Sequence, residues 1–175
     1  HGLQGRGVLV DLHAHFGDAR RVVGYEDLMR VMDADGVVVE RGDMVLLHTG
    51  FAQRLVDMAG SPDPEVLHGA CAVLDGRDPR LLQWVTDSGV AALCADNYAV
   101  EGYPARDVDG TADRAALPWH EHCLFKLGVP LGEIWWLKDL GEWLRAHKRT
   151  RFLLTAPPLR LPGAVGSPVT PVATV

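Results

Sequence analysis

Gly5-Arg6-Gly7-Val8-Leu9-Val10-Asp11 lies at the head of the chain, and the fold is read outward from it. Val8 to Leu12 reads as a short buried strand carrying a carboxylate at its end, because an apolar run of that length is strand-like. Tyr25 to Asp35 reads as a helix. Leu28, Val31 and Met32 take the i, i+3, i+4 spacing, and Gly36 supplies the stop. Val37-Val38-Val39 reads as a strand, Glu40-Arg41-Gly42-Asp43 as a turn, and Met44 to His48 as a further strand. A helix over Ala52 to Met58 follows, closed by Gly60-Ser61-Pro62. Asp78-Pro79 pairs an N-cap with a proline at the first helical position, so a helix runs from there to about Asp87 and ends at Gly89. Val90 to Ala95 is a buried strand stopping at Asp96-Asn97, and Tyr103 to Ala115 is a loop.

The C-terminal third continues the alternation. His120 to Leu127 is a short helical stretch and Val129 to Trp136 is extended. Asp139 to His147 is a helix with Leu140, Trp143 and Leu144 on one face. Arg151 to Ala156 is a strand, and Gly163 to Pro168 is a tight turn leading out. Strands alternating with helices define an α/β class with a mixed sheet and flanking helices, read as one domain over residues 1–175.

Composition narrows the function. The 175 residues are 47% hydrophobic, with 17 basic against 23 acidic side chains and a net charge of −6. No Lys or Arg stripe is present, so nucleic acid is not an expected partner. No apolar stretch approaches the roughly 20 residues of a membrane span, and no secretory signal is present, so no membrane association is expected. Cys71, Cys94 and Cys123 are scattered, odd in number and lack a C-x-x-C spacing. Three free thiols are expected, which suits a cytoplasmic location. The chain opens on His1-Gly2-Leu3 without Met, as a fragment or a processed product would.

Asp11-Leu12-His13-Ala14-His15 matches the D-x-H-x-H arrangement with which metallo-amidohydrolases bind metal. On a strand, residues i and i+2 share a side, so Asp11, His13 and His15 could meet one ion. That reading needs a (β/α)8 barrel of about 250 residues, and at least about 200. This chain is shorter and has no later series of His and Asp at strand ends. The competing reading makes His13 and His15 loop residues, and the barrel ranks second.

Five segments in order carry a fuller resemblance. Gly5 to Asp11 is similar to a "GRGVLLD" strand. Gly42-Asp43-Met44-Val45-Leu46-Leu47-His48-Thr49-Gly50 is similar to "GDxLLxRTG", with His48 where Arg is common. Ala95-Asp96-Asn97-Tyr98-Ala99-Val100-Glu101 is similar to "xDNxAVE". His120 to Glu133 is similar to "HxxLLxxxGxxLGE", and Gly166 to Ala173 to a closing "GSPxxPxA". Together they resemble the cyclase family, which includes bacterial kynurenine formamidase and isatin hydrolase. The resemblance implies a swivelling β/α/β fold and metal-dependent hydrolysis of a small-molecule amide, formamide or cyclic amide. It also implies Zn or Mn as the divalent metal and a homo-oligomeric assembly.

One departure stands out. The family's H-x-G-T-H-x-D-x-P segment, which gives two histidines and an aspartate to the metal, lies upstream of "GRGVLLD" and occurs nowhere here. The sequence therefore reads as a family member whose N-terminal part is missing, with a truncated, non-catalytic subunit as the alternative. The residues that the resemblance carries over are His120, as metal ligand or proton carrier, and Glu133, as an oxygen ligand. His122 is the rival histidine. Asp11 and Asp96, at strand ends, are secondary candidates, and Glu101 is read as structural. Trp119, Trp135 and Trp136 could line a pocket, with core packing expected for at least two. Ser167 could face substrate, though a turn role fits the segment better.

Overall fold

The protein is described by a computed structural model that covers residues 2–107 and 114–175. Part of the loop read over Tyr103 to Ala115 lies outside the described residues. A six-stranded mixed sheet is ordered β6-β5-β3-β1-β7-β8. Its strands are β1 (Leu3–Asp11), β3 (Met44–His48), β5 (Ala92–Ala95), β6 (Leu131–Gly132), β7 (Arg151–Ala156) and β8 (Val172–Thr174). β1, β3, β5 and β6 run parallel, whereas β7 is antiparallel to both β1 and β8. A small parallel pair, β2 (Arg21–Val23) and β4 (Ala72–Leu74), stands beside it, with the short helix α4 (Pro64–His68) leading into β4. This is the mixed α/β architecture expected from the alternation of elements.

Both faces of the sheet are buried at its centre, along β3, β5 and the second half of β1, and the period of two in the strands divides the core. Val8, Val10, Val45, Leu47, Leu93 and Ala95 point one way. They pack with Leu28 and Val31 of α2 (Tyr25–Asp35), Leu81 and Val85 of α5 (Pro79–Ser88), and Trp119. Leu9, Met44, Leu46, Ala92 and Cys94 point the other way, onto Leu144 of α7 (Lys138–Ala146), Trp135, Phe152 and Leu154. β1 is central because its neighbours cover both of its edges. Its glycine is a packing requirement: a Cβ on Gly7 would stand 2.5 Å from the ring of Phe152, its cross-strand partner. The Gly-Arg-Gly and Gly-Asp motifs also meet. Arg6 Nε and Nη2 donate to the two carboxylate oxygens of buried Asp43 at 2.7 and 2.8 Å, which fastens β1 to β3.

Several sequence expectations are corrected. The first strand ends at Asp11, and Leu12–Phe16 form a helical turn, α1, with the Asp11 side chain accepting from Ala14 N. His13 and His15 are thus neither strand nor loop residues. They part company: His13 Nε2 lies 2.9 Å from Asp18 and His15 Nε2 lies 2.9 Å from Asp35. The sheet is open and mixed, so the (β/α)8 reading is withdrawn. Val37 to Val39 make no ladder. Val37 is buried while Val38 is 66% exposed, so the segment is a connection from α2 to β3 despite its β-branched residues. Of Val129 to Trp136, only Leu131 and Gly132 pair as a strand. The three cysteines are free and buried, as expected, and burial raises the thiols to about 11 for Cys71 and about 12 for Cys94 and Cys123. No helix among the described residues is long and apolar enough to cross a membrane.

Candidate metal and acid–base site

The Asp96-Asn97-Tyr98-Ala99-Val100-Glu101 segment leaves β5 and does three separate jobs. Asp96 accepts from Thr49 N, Thr49 Oγ1 and Gly50 N at 2.7, 2.6 and 2.8 Å. It thereby ties the end of β3 to the start of α3 (Phe51–Asp57). Asn97 Oδ1 accepts from Val100 N at 2.7 Å and its amide donates to Ala72 O at 3.3 Å, which shapes a turn. The turn delivers Glu101 beside β4, where Leu74 N donates to Val100 O and Gly102 N to Leu74 O. Val100 sits at φ 61°, a region that costs a β-branched residue roughly 1–3 kcal/mol.

Glu101 is 1% exposed, yet its carboxylate is well supplied with donors. Oε2 accepts from Trp119 N at 2.9 Å and Oε1 from His120 N at 3.0 Å. These are backbone donors of the turn α6 (Pro118–His120), which precedes a π-helical stretch over Glu121–Leu127. Space for the carboxylate comes from Gly76: a Cβ there would lie 1.9 Å from Glu101 Oε2. The third donor is the imidazole itself, with His120 Nδ1 2.9 Å from Glu101 Oε1.

That contact leaves His120 Nε2 pointing away from the core. It meets Glu133 Oε1 at 3.0 Å. Glu133 follows β6 directly, so the Cys94–Gly132 pairing sets its position. Ile134, the next residue, takes φ 54° and donates its N–H to Asn97 O at 2.9 Å. Two β-branched residues in the left-handed region therefore bracket the site, one before Glu101 and one after Glu133.

The electrostatics follow from the geometry. The Glu101 hydrogen bond, then that of Glu133, raise His120 from its usual 6.5 to about 9, against the opposing effect of burial. A ring so raised is protonated at neutral pH and donates from both nitrogens, to Glu101 and to Glu133. The same arrangement suits a metal ligand. A histidine whose Nδ1–H is held by a carboxylate presents Nε2 outward in a fixed tautomer. Two donors at metal distances of about 2.0–2.2 Å stand about 3.0–3.5 Å apart on one ion. The 3.0 Å separation of Nε2 and Oε1 fits two corners of such a site. Among the described residues no three His, Cys, Asp or Glu side chains gather to hold an ion by themselves.

The secondary candidates are engaged elsewhere. His122 Nε2 lies 2.9 Å from Thr86 Oγ1 of α5. Asp11 Oδ1 lies 2.8 Å from His48 Nδ1, and Asp96 is consumed by Thr49 and Gly50. Trp119 and Trp135 are core residues at 0% and 7% exposure. Trp136 is 45% exposed and donates its indole N–H to Asp139 at 2.7 Å. Trp136 lines a groove of about 630 Å³ with Glu133, Ser167 and Pro168. The Ser167 hydroxyl donates to Leu159 O, a turn contact. Glu101, read from the sequence as structural, holds the His120 ring as well as the backbone of α6.

The Cyclase family model, described as "Putative cyclase", matches residues 1–102. A crystal structure described as that of a novel cyclase is 31% identical, with a TM-score of 0.78. The alignment covers 98% of this chain and 52% of that one. An isatin hydrolase bound to the product analogue thioisatinate superposes with a TM-score of 0.66 at 16% identity, over 99% of this chain and 60% of that one. Isatin hydrolase A from Ralstonia solanacearum gives 0.66 at 17% identity, over 97% and 59%. No curated protein matches significantly by sequence. The chain belongs to the cyclase family. It spans about half to three-fifths of the length of these solved relatives.

Proposed function

We propose that this chain carries part of the divalent-metal site of a hydrolase acting on a small-molecule amide, formamide or cyclic amide. The observation that carries the reading is the Glu101–His120–Glu133 series, a buried carboxylate aiming an imidazole at a second, half-exposed carboxylate. Family membership supports the reaction class. His120 Nε2 and Glu133 would hold the ion, and an imidazole–carboxylate donor set suits Zn or Mn. A bound ion of this kind supplies Lewis acidity toward a carbonyl and a water acidic near neutral pH.

The chain's own residues do the rest. Glu101 fixes the tautomer of His120 and resists rotation of the ring. Metal and proton compete for Nε2, so the imidazolium is the metal-free form. The groove beside Glu133 offers Trp136 as an apolar wall for a small substrate. Cytoplasmic residence and homo-oligomeric assembly belong to the same reading.

The test is hydrolysis of N-formylkynurenine and isatin with added Zn²⁺ or Mn²⁺, by this chain and by any longer product of the same gene. Turnover lost in Glu133→Gln supports the reading; no turnover in either protein refutes it. A family member that keeps the fold without the reaction is the second reading. It is favoured by the two-donor count among the described residues, and metal-dependent turnover would exclude it.

A further inference from the structure

Asn97 is 1% exposed. Among the described residues its side chain bonds to Ala72 and Val100, and to neither the His120 ring nor its two carboxylates. It is tied at both ends. Nδ2 donates to Ala72 O of β4 at 3.3 Å and to Val100 O at 3.4 Å, while Oδ1 accepts from Val100 N at 2.7 Å. A buried amide with donor and acceptor both paired holds its own backbone firmly, because each bond lost inside the core is not replaced by water.

Both arms of the site start from this residue. One arm is sequential: Asn97 holds Val100 at φ 61°, and Glu101 follows at once. The other arm is spatial. The Asn97 carbonyl accepts from Ile134 N at 2.9 Å, and the Ala95 carbonyl from Trp135 N at 3.2 Å. The chain just after Glu133 is therefore hung on the end of β5 and its extension. Just before Glu133, Gly132 is paired with Cys94. Glu133 thus projects from a short loop pinned on either side, and Asn97 supplies the nearer of the two pins that follow it. Val100 and Ile134 both stand in the left-handed region, which a β-branched residue keeps only where its neighbours enforce it. Asn97 is bonded to both of them.

We infer that Asn97 is the positioning residue of the Glu101–His120–Glu133 series. Its side chain anchors its backbone to β4. From that anchor it turns the chain toward Glu101 and presents the carbonyl that holds the Glu133 loop. One buried amide thereby sets the contacts at 2.9 and 3.0 Å on the two ring nitrogens. Removing it frees Val100 N and lets both left-handed residues relax, so both carboxylates shift away from the ring. Its bearing on metal affinity rests on the proposed metal site, whereas the ring contacts belong to the metal-free chain. Loss of a residue that orients a metal's ligands weakens binding by about 10–100-fold.

Asn97→Ala tests this beside Leu154→Ala, a buried truncation on β7, which β1, β3 and β5 separate from β6. The readouts are the hydrogen-bonded ring N–H proton signals of His120 in low-temperature NMR spectra of the metal-free chain, and Zn²⁺ affinity by calorimetry. The parent is expected to show a signal from each ring nitrogen. In Asn97→Ala both signals are expected to move or vanish, and Zn²⁺ is expected to bind at least tenfold more weakly. Leu154→Ala is expected to melt as low or lower, yet to keep both signals and to bind Zn²⁺ within twofold of the parent. Where Asn97→Ala does not fold, Asn97→Ser, which is too short to reach Ala72 O, gives the same reading with a smaller loss. Unchanged ring signals in whichever Asn97 variant folds overturn the inference. So does a change confined to one nitrogen, an equal change in Leu154→Ala, or absence of both signals from the parent. A parent that shows both signals but binds no Zn²⁺ refutes the metal reading instead, and the ring signals then decide the role of Asn97.

Discussion

Glu101→Gln separates the geometry of the site from its charge. The glutamate accepts three N–H donors, from Trp119, His120 and the His120 ring. A glutamine of the same shape keeps one acceptor oxygen and turns an NH₂ toward a donor. At least one buried N–H is then unpaired, and a carboxylate contact is lost inside the core. Such changes cost about 2–4 kcal/mol. The imidazolium loses its principal stabilising partner as well, leaving Glu133 alone to hold it. A fall of at least one unit from about 9 is expected, or ~1.4 kcal/mol of lost interaction with the charged ring. Long-range ¹H–¹⁵N spectra followed against pH read the His120 titration, and urea unfolding reads the stability. A ring still titrating near 9 in the variant, with stability within about 0.5 kcal/mol of the parent, would refute the account of Glu101.

Other expectations follow from the same contacts. Gly76→Ala pushes a methyl group into Glu101 Oε2, so it should destabilise by about 1–3 kcal/mol and lower the His120 titration without altering any charge, as checked by the same two measurements. Glu133→Gln removes the half-exposed partner, so it should leave unfolding within about 1 kcal/mol of the parent while weakening Zn²⁺ or Mn²⁺ binding at least tenfold in a calorimetric titration. Stability should also depend on pH through His120. A ring raised from 6.5 to about 9 contributes fully below pH 6.5 and loses its contribution as pH rises through about 9. Water at the Glu133 side screens the pair, so urea unfolding at pH 6 and pH 10 should differ by about 1–2 kcal/mol from this source in the parent and by less in Glu101→Gln.

Much of the fold was legible because its strands are apolar runs bounded by strong stops. Arg151–Ala156 was read at its observed limits, and Asp78-Pro79 and Gly89 fixed α5. Val37 to Val39 misled because propensity favours a strand there, while pairing depends on neighbours that only the tertiary fold supplies. The turn at Leu12–Phe16 was hidden for a similar reason: Asp11 caps it from the end of a strand, and sequence periodicity cannot resolve a helix of one turn. The pairing of His120 with Glu133 was suggested only by resemblance, since thirteen residues that include a π-helical stretch have no regular period. Glu101 escaped because its partners, Trp119 and His120, lie beyond a loop, and no local pattern announces a carboxylate that caps a distant turn.

Anomalous diffraction from crystals soaked in Mn²⁺ or Zn²⁺ tests the central claim most directly. The account predicts an ion bonded to His120 Nε2 and a Glu133 oxygen, with Glu101 still on Nδ1. An ion bound elsewhere while His120 and Glu133 keep their mutual hydrogen bond would contradict it.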